Sequence, residues 1–260
     1  MKILTMCMEC QKELGCPSFE PIIADYYEEA LAYIECSKGH KSAILLQSQK
    51  FEVLLESAAN ALIEGYTLEA ASSLSSAYER FFEFAINVYC KKNNTSKEAL
   101  NETFKQVSKQ SERQVGGFLF LHLLTFGTHY TLNKKIPELR NKVIHQGYIP
   151  TPDEVASLGG LIYKEISTIT ALIKLNLSNE MQQVVMDTVQ RRNEKIPQDI
   201  PRATTTGTMF FSLAMSEQKN SFQEALISYK EAREKVNGSV PFLRAFSKAV
   251  ALFSKPHIPV

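Results

Sequence analysis

The stretch TLEAASSLSSAYERFFEFAINVYCK, residues 67–91, decides the fold class. Leu68, Ala71, Leu74, Tyr78, Phe81, Phe82, Ala85 and Val88 recur mostly three or four residues apart, the period of one helix face and not of a strand. Thr67 reads as the N-cap, and Asn93-Asn94-Thr95 breaks the pattern at the far end. A helix with this aromatic load must be buried by other helices, and the neighbouring sequence supplies them. Phe51, Leu54, Leu55, Ala58, Leu62 and Ile63 predict a helix that Gly65 closes. Ser96 opens another, continued by Ala99, Leu100, Phe104 and Val107. Residues 118–126 form a dense apolar helix, expected at the centre. Pro137 sits in the first turn of a short helix ended by Gly147. Pro150 and Pro152 turn the chain into a long helix over 153–175. Residues 49–176 thus predict an antiparallel helical bundle.

The flanks read differently. Residues 32–35 and 42–46 are short apolar stretches around Ser37-Lys38-Gly39-His40, which predicts a small β-hairpin within residues 1–48. In residues 177–260, a polar helix is expected over 181–195 and a linker at Pro197 and Pro201. A strand pair is expected over 204–215 around Gly207. Ser221 with Glu224 signals a capped helix that Gly238 closes, and 241–253 reads as a final apolar helix. The expected fold is mainly α: a helical bundle with a zinc-binding β-hairpin at its N-terminus and a C-terminal α/β or helical extension.

Four of the five cysteines lie in the first 36 residues. Cys7-Met8-Glu9-Cys10 presents two thiolates from one tight turn. Cys36-Ser37-Lys38-Gly39-His40 offers a thiolate and an imidazole from a second, where Gly39 permits the sharp bend. Two such knuckles supply the four N/S ligands of a closed, structural zinc site, so Zn2+ is expected on Cys7, Cys10, Cys36 and His40. Cys16 is a possible substitute for His40 or a spare thiol. A segment this short has too little core to fold unaided, and a metal would supply the missing free energy.

Composition sets outer limits. Hydrophobic residues make up 44% and charged residues 22%, and the net charge is +1, so bulk positive charge cannot drive nucleic-acid binding and any contact needs a local basic patch. No apolar run reaches the roughly 18 residues of a spanning helix. Met1-Lys2-Ile3-Leu4 is followed by polar and cysteine-bearing sequence rather than a secretory apolar core, so a cytoplasmic location and no membrane partner are expected.

The chemistry-bearing stretch is KKIPELRNKVIHQG, residues 134–147. At about 100° per residue, Ile136, Leu139 and Val143 share a face directed to the core. Asn141 and His145, one turn apart, lie on the opposite side, with Arg140 between the faces. Lys134, Lys135, Arg140 and Lys142 against Glu138 make the patch net +3. Lys134, Lys135 and Lys142 are candidate RNA contacts.

Arg140-Asn141 followed after three residues by His145 resembles the signature of the HEPN family, an Arg, a polar residue and a His at this spacing late in a helical bundle. Leu74, Tyr78, Glu79, Arg80, Phe81 and Phe82 look like the aromatic helix that precedes the motif helix in that family. The resemblance covers roughly residues 49–176. It implies a homodimeric, metal-independent endoribonuclease, of the kind found in prokaryotic defence or toxin systems, with an antitoxin or other protein partner. It further implies catalytic Arg140, Asn141 and His145, with Glu79 as an acidic residue beside the site. The alternatives are a non-catalytic binding or assembly module and a zinc-ribbon nucleic-acid-binding regulator. Tyr148 stands three residues after His145, where some HEPN toxins carry a modified tyrosine two residues after theirs. His122 and His129 read as packed histidines near the apolar helix, and Cys90 as an inert thiol. Gly116-Gly117 is too short to cradle phosphate, and no phosphate loop, GxSxG elbow or HExxH helix is present.

Overall fold

The computed structural model describes residues 1–108 and 110–253, with the side chains of the last helix placed as far as residue 247. The protein is mainly α, with nine helices and five short strands among the described residues. It divides into two compact units, each assembled from separated stretches. One comprises, among the described residues, Met1–Gln47, Thr188–Gly207 and 230–253. The other comprises Ser48–Asp187 and Thr208–Tyr229.

In the first unit, β1 (Lys2–Thr5) pairs antiparallel with β2 (Ile22–Asp25), placing Lys2 opposite Asp25. The chain between them forms α1 (Met8–Leu14), which stops at Gly15 in the left-handed conformation, φ 68°. The expected hairpin is present as β3 (Leu31–Glu35) and β4 (Lys41–Leu46), with Tyr33 opposite Ala43. A third strand, β5 (Arg202–Thr205), joins the free side of β4 in parallel, with Ala43 opposite Arg202. β4 is therefore central, and every residue after Lys41 is buried. On one face Ala43 and Leu45 pack with Leu31, Val189, Ile196 and Ile200.

In the second unit, α2 (Lys50–Ile63) lies against α3 (Thr67–Lys92), and α3 also meets α5 (Ser111–Phe126), α6 (Lys135–Gln146) and α7 (Pro152–Asn176). Burial of Ala70, Leu74, Ala77, Phe81, Phe82, Phe84, Ala85, Val88 and Tyr89 makes α3 the central helix. Rings interlock around it: Phe51 with Phe81 at 5.2 Å and Phe82 with Phe118 at 4.8 Å between centroids. Helix α4 (Lys97–Val107) starts on Ser96, whose Oγ accepts from Ala99 N at 3.2 Å, and α7 starts on a Thr151–Glu154 capping box.

Four expectations are corrected. The apolar helix α5 is not central. Gln114, Phe118 and His122, four residues apart, are its buried positions, while Phe120 and Leu124 are 71% and 75% exposed. Apolar density alone does not say which side packs. The N-cap of α3 is Tyr66, not Thr67. The strand pair over 204–215 is a single strand. Gly207, at φ 78°, turns the chain off the sheet. Beyond it the backbone N–H groups of Met209 and Phe210 donate to Glu56, and that of Leu213 donates to Glu52 at 2.7 Å. Carboxylates of α2 take the place of a partner strand. Finally, after α8 (Ser178–Asn193), α9 (Phe222–Phe253) runs through Gly238 and Pro241 without a break. Proline there removes one intrahelical donor, and the helix continues past it. Among the described residues no helix is long and apolar enough to cross a membrane.

Candidate functional site

Two groups of side chains carry chemistry, one in each unit. In the first unit, Cys7 caps α1 in extended conformation, and its Sγ accepts from Cys10 N at 3.4 Å. Cys10 follows one turn later. In the turn between β3 and β4, Gly39 at φ 82° lets its N–H reach Cys36 O at 2.9 Å, while Cys36 N donates to His40 O at 3.1 Å. The two turns bring Cys7, Cys10, Cys36 and His40 together, with all four ligand atoms within 4.8 Å of one another. The three thiols are buried and His40 is partly so. Cys16 is exposed and lies outside the group.

The geometry fits a tetrahedral ion. Zinc–sulfur bonds of about 2.3 Å and zinc–nitrogen bonds of about 2.0–2.1 Å set ligand–ligand edges of about 3.5–3.8 Å. Here Cys10 Sγ to Cys36 Sγ is 3.7 Å, and His40 Nδ1 lies 3.8 Å from Cys7 Sγ and 3.3 Å from Cys10 Sγ. Burial pushes the Cys10 thiol up to about 12, aided by hydrogen bonds and charge from Cys36 and Cys7. Burial also acts on Cys36, but hydrogen bonds from the backbone N–H groups of Lys38 and His40 and from the Cys10 and Cys7 thiols together outweigh it and hold that thiol below its ordinary value. Three crowded thiols cannot all ionise without a cation, and a coordinated thiol is deprotonated outright. A buried Cys3His group able to hold a structural zinc is thus in place.

Two carboxylates brace these turns. Glu13 Oε1 lies 3.0 Å from His40 Nε2, and Lys38 Nζ lies 3.0 Å from Glu13 Oε2. Glu20 accepts from Ser37 N at 3.1 Å and from Ser37 Oγ at 3.0 Å. Glu9 pairs with Lys12 on the same helix. Sequence reasoning missed Glu13 and Glu20. The available signal was spacing: Glu13 is three residues after Cys10, hence on the same side of α1.

In the second unit, α6 buries Ile136 and Val143 against α3 and α7 and leaves Asn141 and His145 exposed. Lys134, Lys135 and Lys142 are also exposed. Arg140 turns toward α3 and α5. Its Nη2 lies 2.5 Å from Glu79 Oε1 and 3.4 Å from Ser111 Oγ, its Nη1 donates to Asn141 Oδ1 at 3.2 Å, and Glu112 stands 4.0 Å away. Glu79, 61 residues upstream, is thus the partner of Arg140. Glu79 and Glu112 offset part of the +3 counted along α6. Ser111 and Glu112 gave no sequence signal, since the packing of α5 beside α6 is a tertiary fact. Tyr148 donates to Glu154 at 2.9 Å, next to the α7 cap. His122 is 2% exposed and ringed by Tyr89, Phe118, Phe126 and Tyr130.

Compared with known proteins, the chain matches no family model, no curated sequence and no solved structure.

Proposed function

We propose that the protein is a HEPN-type endoribonuclease working as a homodimer, with a zinc ion held by Cys7, Cys10, Cys36 and His40 as a structural element. The observation that carries this reading is the grouping on α6: a guanidinium fixed by Glu79, Asn141 and Ser111, with a solvent-facing imidazole on the next turn. Imidazole titrates near neutrality and serves as acid or base, and a planar guanidinium matches phosphate oxygens. In a dimer that brings two α6 faces together, one His145 accepts the 2′-hydroxyl proton as the 2′-oxygen bonds to phosphorus. The second His145 gives a proton to the departing 5′-oxygen. Arg140 neutralises charge on the phosphorane, and Lys134, Lys135 and Lys142 hold flanking phosphates. The products are a 2′,3′-cyclic phosphate and a 5′-hydroxyl, and DNA is left intact. The zinc keeps its four protein ligands and takes no part in the reaction.

Purified protein is incubated with structured RNA in buffer without added divalent metal, beside His145→Ala and Arg140→Ala. The expected result is metal-independent cutting that each substitution lowers by about 100-fold or more. Cleavage unchanged in His145→Ala, or none by the unaltered protein, overturns the reading. A second reading, an assembly module without catalysis, is favoured by one fact: Arg140 already has a carboxylate partner within its own chain. That reading predicts that the unaltered protein leaves RNA intact and that Glu79→Ala lowers the melting temperature.

A further inference from the structure

Around the Cys3His group, the outer contacts are asymmetric in an informative way. His40 points Nδ1 toward Cys7 and Cys10 and Nε2 toward Glu13. The imidazole therefore has one nitrogen for a metal and the other for a carboxylate. A ligating histidine whose second nitrogen is left to solvent can take either tautomer and can rotate. One that donates to a carboxylate is locked and made a stronger ligand. Glu13 is in turn oriented by Lys38, which stands two residues before His40 in the same turn. The chain Lys38–Glu13–His40 closes a loop between α1 and the β3–β4 turn, the two elements that bring the ligands.

We infer that Glu13 is the positioning residue of the zinc site: it holds His40 in the tautomer that ligates through Nδ1, and so sets how tightly the metal is retained. This rests on the zinc reading above. Glu13 touches no metal; it acts through His40, with Lys38 holding its second oxygen. Glu9 supplies an internal control. It has the same charge on the same short helix, but its partner is Lys12, and it is not one of the grouped ligand residues.

The test uses the full-length protein as purified, with zinc content measured first and Co2+ then substituted for spectroscopy. The unaltered protein is expected to hold about one ion per chain with a thiolate-to-cobalt absorption band. Competition with a chelator is expected to show that Glu13→Ala weakens retention by about 10- to 100-fold, the range for loss of such an outer contact. Glu13→Gln, which keeps an acceptor oxygen without its charge, falls between, and Glu9→Gln matches the unaltered protein. Nitrogen-15 spectra of the zinc form are expected to show His40 protonated at Nε2 and bound through Nδ1. Metal binding that is equal in all four proteins overturns the inference alone, as does a His40 bound through Nε2. Absence of metal from every protein, the unaltered one included, overturns the zinc reading and this inference together.

Discussion

Single residues in the helical unit set how stability responds to acidity. Burial among aromatic rings lowers the basicity of His122, whose Nδ1 lies 3.3 Å from Tyr89 Oη. The unfolded chain protonates this group near its ordinary value of 6.5, whereas the folded chain resists. Its contribution is therefore complete above about pH 6.5 and is lost as pH falls below it. Glu165 has the opposite sign. Burial raises its carboxyl, while Tyr78 donates to it at 2.6 Å. The folded state holds that proton to higher pH, so stability from this group declines as pH rises above the ordinary carboxylate range. His122→Phe is expected to cost about 1 kcal/mol at neutral pH through the lost Tyr89 partner. It is also expected to flatten the fall in melting temperature between about pH 7 and 5.5. Glu165 is common to both proteins and cancels in the comparison. Parallel pH profiles for the two proteins would show that His122 is not the group responsible.

At the scale of elements, α7 carries two adjacent glycines with different surroundings. A Cβ on Gly159 would come within 2.5–2.8 Å of the Phe222 ring, whereas one on Gly160 would meet nothing within 4 Å. Gly159→Ala is expected to destabilise by about 1–3 kcal/mol, because overpacking outweighs the gain in helix propensity. Gly160→Ala is expected to stabilise by up to about 1 kcal/mol. Urea unfolding of the two variants gives the comparison, and equal shifts would mean that α9 does not pack on α7 through Phe222. The two glycines also mark the limit of what was legible in the sequence. Periodicity found α2, α3 and α6 because their apolar positions repeat every three or four residues, while Gly65, Gly147 and the prolines at 150 and 152 punctuated the chain around them and α7. It could not say that α3 rather than α5 lies at the centre, since a ring of apolar residues around α5 has no preferred side. Nor could it place β5, four residues whose partner strand lies about 160 positions away, beside β4. The ligand set was readable because two knuckles announce themselves by spacing. The bracing contacts of Glu13, and of Ser111 on Arg140, depend on packing between elements distant in sequence.

At the scale of the whole molecule, the metal group and the Arg140 group belong to different compact units. Zinc removal is expected to act where the ligands are. Hydrogen exchange after stripping the protein with a chelator should quicken in residues 1–47 and 188–207, with the amides of α3 and α7 keeping their protection. Protection unchanged throughout would show that the ion does not support the fold.

The parallel pairing of β5 with β4 has a consequence for how the chain is made. During synthesis the hairpin leaves the ribosome well ahead of β5, but Ala43 N has its acceptor on Pro201 and Gln47 N has its acceptor on Thr205. Until some 150 further residues emerge, that strand edge stands open and able to recruit a strand from a neighbouring nascent chain. Expression of residues 1–48 alone would make this interval permanent, so such a fragment should aggregate unless a strand bearing Arg202–Thr205 is supplied alongside it.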